Sequence, residues 1–226
     1  MVISDTQFPF EHRDTFSFLK AVKNRYKTDT TVHIGDELDF HCLSTYDPDP
    51  DGFSSGHELE KGLESMRKLY ALFPECSVVF SNHTSRPFKR AFKAGIPRAF
   101  LRDYSEFLQA PKGWKWAETW EIDGVVYEHG EGVSGPDAAR RKAMYNMKPT
   151  VIGHIHSHAG IMYINNGTNQ IWGFNSGCLI DFKSYSYLYA KHHPQKPVIS
   201  LGVVDRGVPH LYPMTMDKHG RWDGNL

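Results

Sequence analysis

TVIGHIHSH, residues 150–158, is a short β-branched run followed by a glycine and then by three histidines at alternate positions. We expect the β-branched residues to form a buried strand. On an extended segment alternate side chains share a face, so His154 and His156 are expected to point into one site. Gly153 would let the chain turn and let a ligand approach the backbone. Because neutral imidazole is a common ligand for transition metals, the stretch indicates a metal site. The alternative is a polar strand end in a chain that contains 13 histidines.

Composition and charge are those of an ordinary soluble globular protein. The 226 residues suffice for one sizeable core, and hydrophobic and charged residues make up 40% and 23% of the chain. The formal net charge is +0, so only a local basic patch could favour nucleic acid. The three scattered cysteines favour a reducing compartment. No apolar run approaches the roughly 18 residues that span a bilayer, and nothing at the N-terminus resembles a signal peptide. We therefore expect a cytoplasmic protein with no membrane partner.

The N-terminal half alternates strand-like and helical stretches. A short apolar run ends at Ser4, apolar residues recur at helical spacing over about 14–27, and a second strand is predicted at 30–34. Ser55 and Glu58 form a predicted capping box that opens a second helix, and a third strand is predicted at 76–80. This is the βαβ pattern of an α/β sheet, in which ligands gather at the carboxyl ends of the strands.

A basic helical insertion is predicted at about 86–112, within a single domain spanning residues 1–226. Gly95 and Pro97 are expected to divide it into two helices. Its cationic residues are Arg86, Lys89, Arg90, Lys93, Arg98 and Arg102. Hairpins are predicted at 114–127, 161–174 and 198–212, with one helix at 136–147. The tryptophans of the first hairpin, Trp114, Trp116 and Trp120, could stack bases or could simply belong to the core.

Two further polar groups are expected to be exposed to solvent. The loop at 46–56 carries Asp47, Asp49 and Asp51, but its spacing lacks the glycine and the terminal glutamate of an EF-hand calcium loop. The histidines outside the motifs below, His158, His192 and His193, are expected to be surface residues.

Five polar clusters each follow a strand-like run. They are Asp5 with Gln7, Asp36 with Asp39, Asn82 with His83, His129 alone, and His154 with His156. Carboxylate oxygen, amide oxygen and imidazole nitrogen form the mixed shell that manganese, iron or zinc accepts. Asp36 alone could be a helix cap or a turn residue, but the five clusters together indicate a metal site.

In these clusters the chain resembles the calcineurin-like metallophosphoesterases. The family pattern is Asp-x-His, Gly-Asp-x-x-Asp, Gly-Asn-His-Asp/Glu, a lone His, and Gly-His-x-His. The corresponding residues here are Asp5-Thr6-Gln7, Gly35-Asp36-Glu37-Leu38-Asp39, Ser81-Asn82-His83-Thr84, His129 and Gly153-His154-Ile155-His156. The resemblance implies an α/β fold of two packed mixed β-sheets flanked by helices. Gln7 and Thr84 depart from the pattern, and a neutral oxygen at Gln7 implies either a weaker first metal site or a vacant one.

The resemblance also implies a role for each motif residue. One divalent metal would be held by Asp5, Gln7, Asp36 and His156. The second would be held by Asp36, Asn82, His129 and His154, with Asp36 bridging. The expected metal is manganese, with iron, zinc, nickel or magnesium as alternatives. Two such cations, roughly 3.5–4 Å apart, would clamp a phosphate and lower the pKa of a shared water, which would attack phosphorus as hydroxide. His83 would protonate the leaving group or steady the transition state, and Asp39 would orient it.

The family includes protein phosphatases, cyclic-nucleotide phosphodiesterases, nucleotide pyrophosphatases and nucleases of double-strand-break repair. The protein phosphatases carry arginine directly after Gly-Asp-x-x-Asp, where this chain has Phe40. Basic helices with aromatic neighbours favour a polyanionic substrate, so we expect a phosphodiesterase acting on nucleic acid or a nucleotide. Arg86 is a candidate substrate contact or a surface ion pair, and His41 a candidate contact or a cap.

Other functions remain as alternatives. The same residues would suit a phosphomonoesterase or a nucleotide pyrophosphatase. A non-enzymatic alternative is a degenerate metal-binding scaffold, which the departures at Gln7 and Thr84 motivate. The sequence favours no oligomeric state.

Overall fold

The computed structural model describes residues 1–45, 49–184 and 194–226, and within them the chain forms two mixed β-sheets and five α-helices. Part of the acidic loop, including Asp47, and the histidines His192 and His193 lie outside the described residues. The strands are β1 Val2–Ile3, β2 Val32–His33, β3 Glu75–Val79, β4 Gly113–Ala117, β5 Trp120–Ile122, β6 Val125–Tyr127, β7 Thr150–Ile152, β8 Gly160–Asn165, β9 Gln170–Asn175, β10 Ser200–Asp205 and β11 Val208–Pro213. The helices are α1 Thr15–Tyr26, α2 Ser55–Leu72, α3 Arg86–Lys93, α4 Tyr104–Phe107 and α5 Ala138–Asn146.

The first sheet has the order β11-β10-β1-β2-β3-β4. Strands β1 to β4 are parallel to their neighbours, and β10 joins the other edge of β1 in the antiparallel sense. The second sheet has the order β5-β6-β7-β9-β8. Its central strands β6, β7 and β9 are parallel, and the antiparallel strands β5 and β8 form its edges. Because the central strands of each sheet are parallel, their carboxyl ends meet at one edge.

The two sheets share an apolar core, as a sandwich requires. Val32, Ile34 and Val79 of the first sheet belong to one buried cluster with Val151 and Phe174 of the second. The helices α1 and α2 contribute to a second cluster with strands of the first sheet. Helix α5 packs against β7 and β9 of the second sheet. The predicted α/β class with two mixed sheets is therefore confirmed.

Two predictions about helices need correction. The N-cap of α2 is Ser54, whose side chain accepts from the backbone N–H of His57, so Ser55 and Glu58 form no capping box. The carboxylate of Glu58 accepts instead from the backbone N–H groups of His41 and Cys42. The predicted break of the insertion at Gly95 and Pro97 is present, but the part after it is divided into a 3₁₀ turn at Arg98–Phe100 and the short helix α4.

The predicted hairpin at 114–127 is only partly correct. Strands β5 and β6 do form a hairpin across Asp123 and Gly124, which both have positive φ. Trp114 and Trp116, however, lie on β4, which pairs with β3 in the other sheet. Trp114 is buried and donates to the carbonyl of Phe73, which is a core role.

None of the helices in the described part of the chain is long and apolar enough to cross a membrane.

Candidate metal centre

The five polar clusters meet where strands of both sheets end. Backbone hydrogen bonds connect the segments that follow the strands: Asp5 N–H donates to Gly35 at 3.2 Å, and Gln7 N–H donates to Asp36 at 2.8 Å. Gly153 N–H donates to the carbonyl of His129 at 3.1 Å. Backbone hydrogen bonds therefore hold the loop after β1 against the loop after β2, and the loop after β6 against the loop after β7.

Four of the predicted metal ligands lie in the left-handed backbone region. The φ angles are 47° at Asp5, 43° at Gln7, 55° at Asp36 and 67° at His154. For residues with a side chain this region costs on the order of 1–2 kcal/mol each, and such residues cluster at functional sites. The fold thus holds these four side chains in positions that the backbone alone would not favour.

His154 and His156 do reach one site, as predicted, but the extended backbone assumed for them is wrong. Strand β7 ends at Ile152, and His154 turns the chain with its positive φ. The two imidazoles therefore reach two neighbouring groups of ligands. His154 Nδ1 lies 3.2 Å from His129 Nε2, whereas His156 Nε2 lies 2.9 Å from Asp5 Oδ1.

Gly153 is needed for close approach and not for its backbone freedom. Its φ is not positive, but a Cβ atom there would overlap the hydroxyl of Ser4 and the carboxylate of Asp5. The missing side chain lets His154 N–H donate to Asp5 Oδ2 at 3.0 Å.

Two groups of side chains have the composition of a metal site. Within each group the ligand atoms lie within 4.8 Å of one another, and Asp36 belongs to both groups. The first group is Asp5, Asp36 and His156, and the second is Asp36, His129 and His154. Gln7 Nε2 lies 3.2 Å from His156 Nε2, and a rotation of its amide would present Oε1 to the first group. Asn82 Oδ1 lies 2.8 Å from His129 Nε2 in the second.

The bridging position of Asp36 is the strongest sign that cations fit. This side chain is buried, and its Oδ1 accepts from the backbone N–H of His83 at 2.9 Å. Its Oδ2 makes no hydrogen bond within the described residues, although it lies 3.3 Å from His129 Nε2. A buried carboxylate needs a positive partner, which here is the His129 imidazole and which a divalent cation would also supply. The mixed oxygen and nitrogen donors around it suit manganese, iron or zinc.

The buried charges in this centre shift one another's pKa values. Burial disfavours the charged form of His129, but Asp36 beside it outweighs burial and raises the pKa of His129 to about 10. Burial likewise opposes ionisation of Asp36, yet His129 and His83 hold its pKa well below the usual range. Burial lowers the pKa of His154, which favours the neutral imidazole that a metal needs.

His83, Asp39 and Arg86 form a hydrogen-bonded group beside the two metal-ligand groups. His83 Nδ1 lies 3.0 Å from Asp39 Oδ1, as the resemblance implies, and Nε2 lies 4.0 Å from Asp36 Oδ2. Arg86 Nη1 donates to Asp39 Oδ1 at 2.8 Å, and Nη2 lies 3.1 Å from His83 Nε2. A guanidinium offers donors only, so Nε2 is the acceptor and the proton of His83 lies on Nδ1.

A cavity of about 840 Å³ opens onto this centre. The predicted site residues along its wall are Gln7, Asp36, Asp39, His41, Asn82, His83, Arg86, His154 and His156. Asp5 and His129 lie buried behind them. His41 begins a 3₁₀ turn at His41–Leu43, and its Nε2 accepts from the backbone N–H of Asp49 at 3.3 Å. Arg86 forms an ion pair with Asp39, and the side chain of Arg86 is only 15% exposed.

Glu37, directly after Asp36, is a buried carboxylate that the motifs did not predict. Glu37 accepts from Trp116 Nε1 at 2.7 Å and from the hydroxyl of Thr84 at 2.9 Å. Burial raises the pKa of Glu37 to about 7. Two residues of the sequence could have indicated this contact. Glu37 lies inside the Gly-Asp-x-x-Asp motif, and Thr84 stands after His83, where the family pattern has an acidic residue.

Comparison of the chain with protein-family models and with curated proteins finds no match. The resemblance to the metallophosphoesterases therefore rests on the five clusters, and membership of the family stays a prediction.

Proposed function

We propose that this protein is a metal-dependent phosphoesterase with the metallophosphoesterase fold. Its reaction would be the hydrolysis of phosphodiester bonds in nucleic acid or in a nucleotide. The observation that carries the proposal is the histidine–carboxylate pair His83–Asp39, which stands beside two ligand groups that share Asp36. A scaffold that only bound metal would have no chemical use for that pair.

Asp5, Gln7, Asp36 and His156 would hold one divalent cation, and Asp36, Asn82, His129 and His154 a second. Manganese suits these donors best, with iron, zinc, nickel and magnesium as alternatives. Two such cations would polarise phosphoryl oxygens and lower the pKa of a water at the site. The strained backbone at Asp5, Gln7, Asp36 and His154 would keep the donors in position before any cation arrives.

His83 would act on the leaving group. The Nδ1–H of His83 donates a hydrogen bond to Asp39, which fixes the orientation of the ring in the cavity wall and leaves Nε2 for the leaving group. Nε2 accepts from Arg86 in this arrangement, so it must first lose that contact and gain a proton. A substrate phosphate would draw the guanidinium away, because Arg binds phosphate oxygens through two parallel hydrogen bonds. Substrate binding would thus free Nε2 to take up a proton from solvent in the cavity and pass it to the departing oxygen.

Turnover of two chromogenic esters tests the proposal. Bis-p-nitrophenyl phosphate, a diester, and p-nitrophenyl phosphate, a monoester, are each assayed with manganese, nickel, zinc, magnesium and chelator. We expect manganese-stimulated cleavage of the diester. His83→Ala should lower kcat by roughly 10²–10⁴-fold while metal content, measured by mass spectrometry, stays the same. His210→Ala, at an exposed histidine on β11, is the matched control and should change neither.

Each other outcome favours a different function. Faster cleavage of the monoester would favour a phosphomonoesterase. A protein that binds metal but turns over neither ester with any metal would contradict the enzyme proposal and favour the scaffold. Unchanged turnover in His83→Ala would refute the role given to the histidine pair.

A further inference from the structure

We propose that α3 binds a single-stranded nucleic acid next to the metal centre, with phosphates on Lys89 and Lys93 and a base on Phe92. This inference rests on the proposed function and names its substrate class. It begins from the spacing of the cations on α3. Arg86, Lys89, Arg90 and Lys93 stand at positions i, i+3, i+4 and i+7, so they share one face of the helix. All four line the cavity of about 840 Å³ that opens onto the metal-ligand groups.

The charge of this face is only partly neutralised by nearby carboxylates. Residues 86–102 contain six arginines and lysines and no acidic residue, although the chain as a whole has a formal net charge of +0. Arg98 and Arg102 pair with Asp103 and Glu106 just beyond this range, so the available charge lies on α3. Arg86 is held by Asp39, and Arg90 donates to the carbonyls of Leu43 and Ser44. Lys89 is 56% exposed and lies 3.8 Å from Glu131, a pair that is weak in water. The exposed side chains of Lys89 and Lys93 are thus the cations available to further phosphates.

An aromatic side chain stands between these lysines. Phe92 is 54% exposed, although a phenylalanine of a folded protein normally buries its ring. It lines the first cavity and also a second cavity of about 690 Å³, and Lys89 likewise lines both. Phe88, Tyr104 and Trp116 line that second cavity. When the phosphates of a strand contact the lysines of α3, one of its bases could therefore stack on Phe92, near further aromatic side chains.

The pairing of cations with an exposed ring favours a single strand over other polyanions. Inorganic polyphosphate has no group that would stack on Phe92. A duplex hides its bases inside the helix, and both cavities have volumes typical of small-molecule pockets. A few unpaired nucleotides offer phosphates to lysines and a base to an aromatic ring at the same time.

Binding and turnover are measured on three variants. Lys89→Ala/Lys93→Ala removes the phosphate contacts, and Phe92→Ala removes the ring. Lys20→Ala/Lys218→Ala is the control, because it removes two exposed charges that line neither cavity. Fluorescence anisotropy with labelled oligothymidylate in chelator reports binding without turnover. Cleavage of the oligonucleotide and of bis-p-nitrophenyl phosphate with manganese reports activity.

We expect Lys89→Ala/Lys93→Ala to weaken oligothymidylate binding by on the order of tenfold. The slope of log affinity against log salt should become shallower by roughly 1.4, since each phosphate contact on a single strand contributes roughly 0.7. Phe92→Ala should weaken binding roughly fivefold or more. In both variants the ratio of oligonucleotide cleavage to diester cleavage should fall, and the control should behave as the wild type.

The inference is overturned if the lysine variant and the control lose affinity equally, or if duplex or polyphosphate binds as tightly as oligothymidylate. It is also overturned if Phe92→Ala binds normally. A wild type that binds oligothymidylate but cleaves no diester would instead contradict the proposed function. The two failures are therefore distinguishable.

Discussion

Gly153→Ala tests whether close packing against Asp5 holds the metal centre together. The added methyl group would overlap the carboxylate of Asp5 and the hydroxyl of Ser4, and would lie 3.3 Å from Ile34 Cγ2. Asp5 is completely buried and cannot move out into solvent. Since the φ of Gly153 is not positive, alanine can adopt the same backbone conformation. The whole effect of the substitution is therefore steric.

The expected cost follows from overpacking. An extra methyl group in a close-packed interior destabilises a protein by about 1–3 kcal/mol. A loss of about 2 kcal/mol would lower the urea midpoint by about 1 M, for an m value of about 2 kcal/mol/M. Displacement of Asp5 should also weaken manganese binding. Each tenfold loss of affinity would increase the stability difference from wild type by about 1.4 kcal/mol at saturating manganese.

Equilibrium urea unfolding in chelator and in manganese separates the two effects, and calorimetric titration measures the manganese affinity directly. Gly160→Ala is the matched control, because a Cβ atom at Gly160 meets no atom within 4 Å and its φ is not positive. We expect the control to stay within about 0.5 kcal/mol of wild type, as uncrowded surface substitutions do. A Gly153→Ala protein with wild-type stability and wild-type manganese affinity would refute the packing argument.

Two further predictions concern single polar contacts. Gln7→His should tighten manganese binding in calorimetric titration, because histidine tolerates the left-handed backbone at this position and supplies an imidazole donor. An unchanged affinity would show that position 7 is not a ligand. Asp14→Asn should destabilise the protein at pH 7 by about 1–3 kcal/mol, because Asp14 accepts from the guanidinium of Arg221 and from the backbone N–H of Trp222. Arg221 lowers the pKa of Asp14 to about 2, below the value of about 3.9 in unfolded chains, so the wild type should lose this contribution as the pH falls from about 4 to about 2. Urea unfolding between pH 2 and pH 7 checks this, and equal pH dependence of the two proteins would contradict it.

Local patterns in the sequence predicted the individual strands and turns better than they predicted which strands pair in the sheets. The turns at Asp123–Gly124 and Asn166–Gly167 mark hairpins that the structure contains, because a hairpin is fixed by adjacent residues. The pairing of β4 with β3 was missed. Parallel partners are joined by a long crossover, and here that crossover is the helical insertion, so short-range periodicity carries no signal for the pairing.

In the candidate site, too, the sequence indicated which residues take part but not their detailed geometry. Residue types at strand ends sufficed to predict which side chains gather, because carboxyl ends of parallel strands meet at one edge. They did not predict the turn at His154, since nothing in the alternating histidines indicates a left-handed residue after the strand. The hydrogen bonds from Arg86 to His83 and to Asp39 were also not predictable, because they depend on how α3 packs over the loop after β2.

The departures from the family pattern in the third cluster argue against a decayed site. Ser81 replaces a glycine, and its hydroxyl accepts from the backbone N–H of Asp36 at 2.6 Å. Thr84 replaces an acid, and its hydroxyl accepts from the backbone N–H of Leu38 at 3.3 Å while it donates to Glu37 at 2.9 Å. Both substituted residues therefore bind the loop that carries Asp36. Random loss of function would remove contacts to that loop, whereas these two hydroxyls add them, which supports the proposed function over the degenerate scaffold.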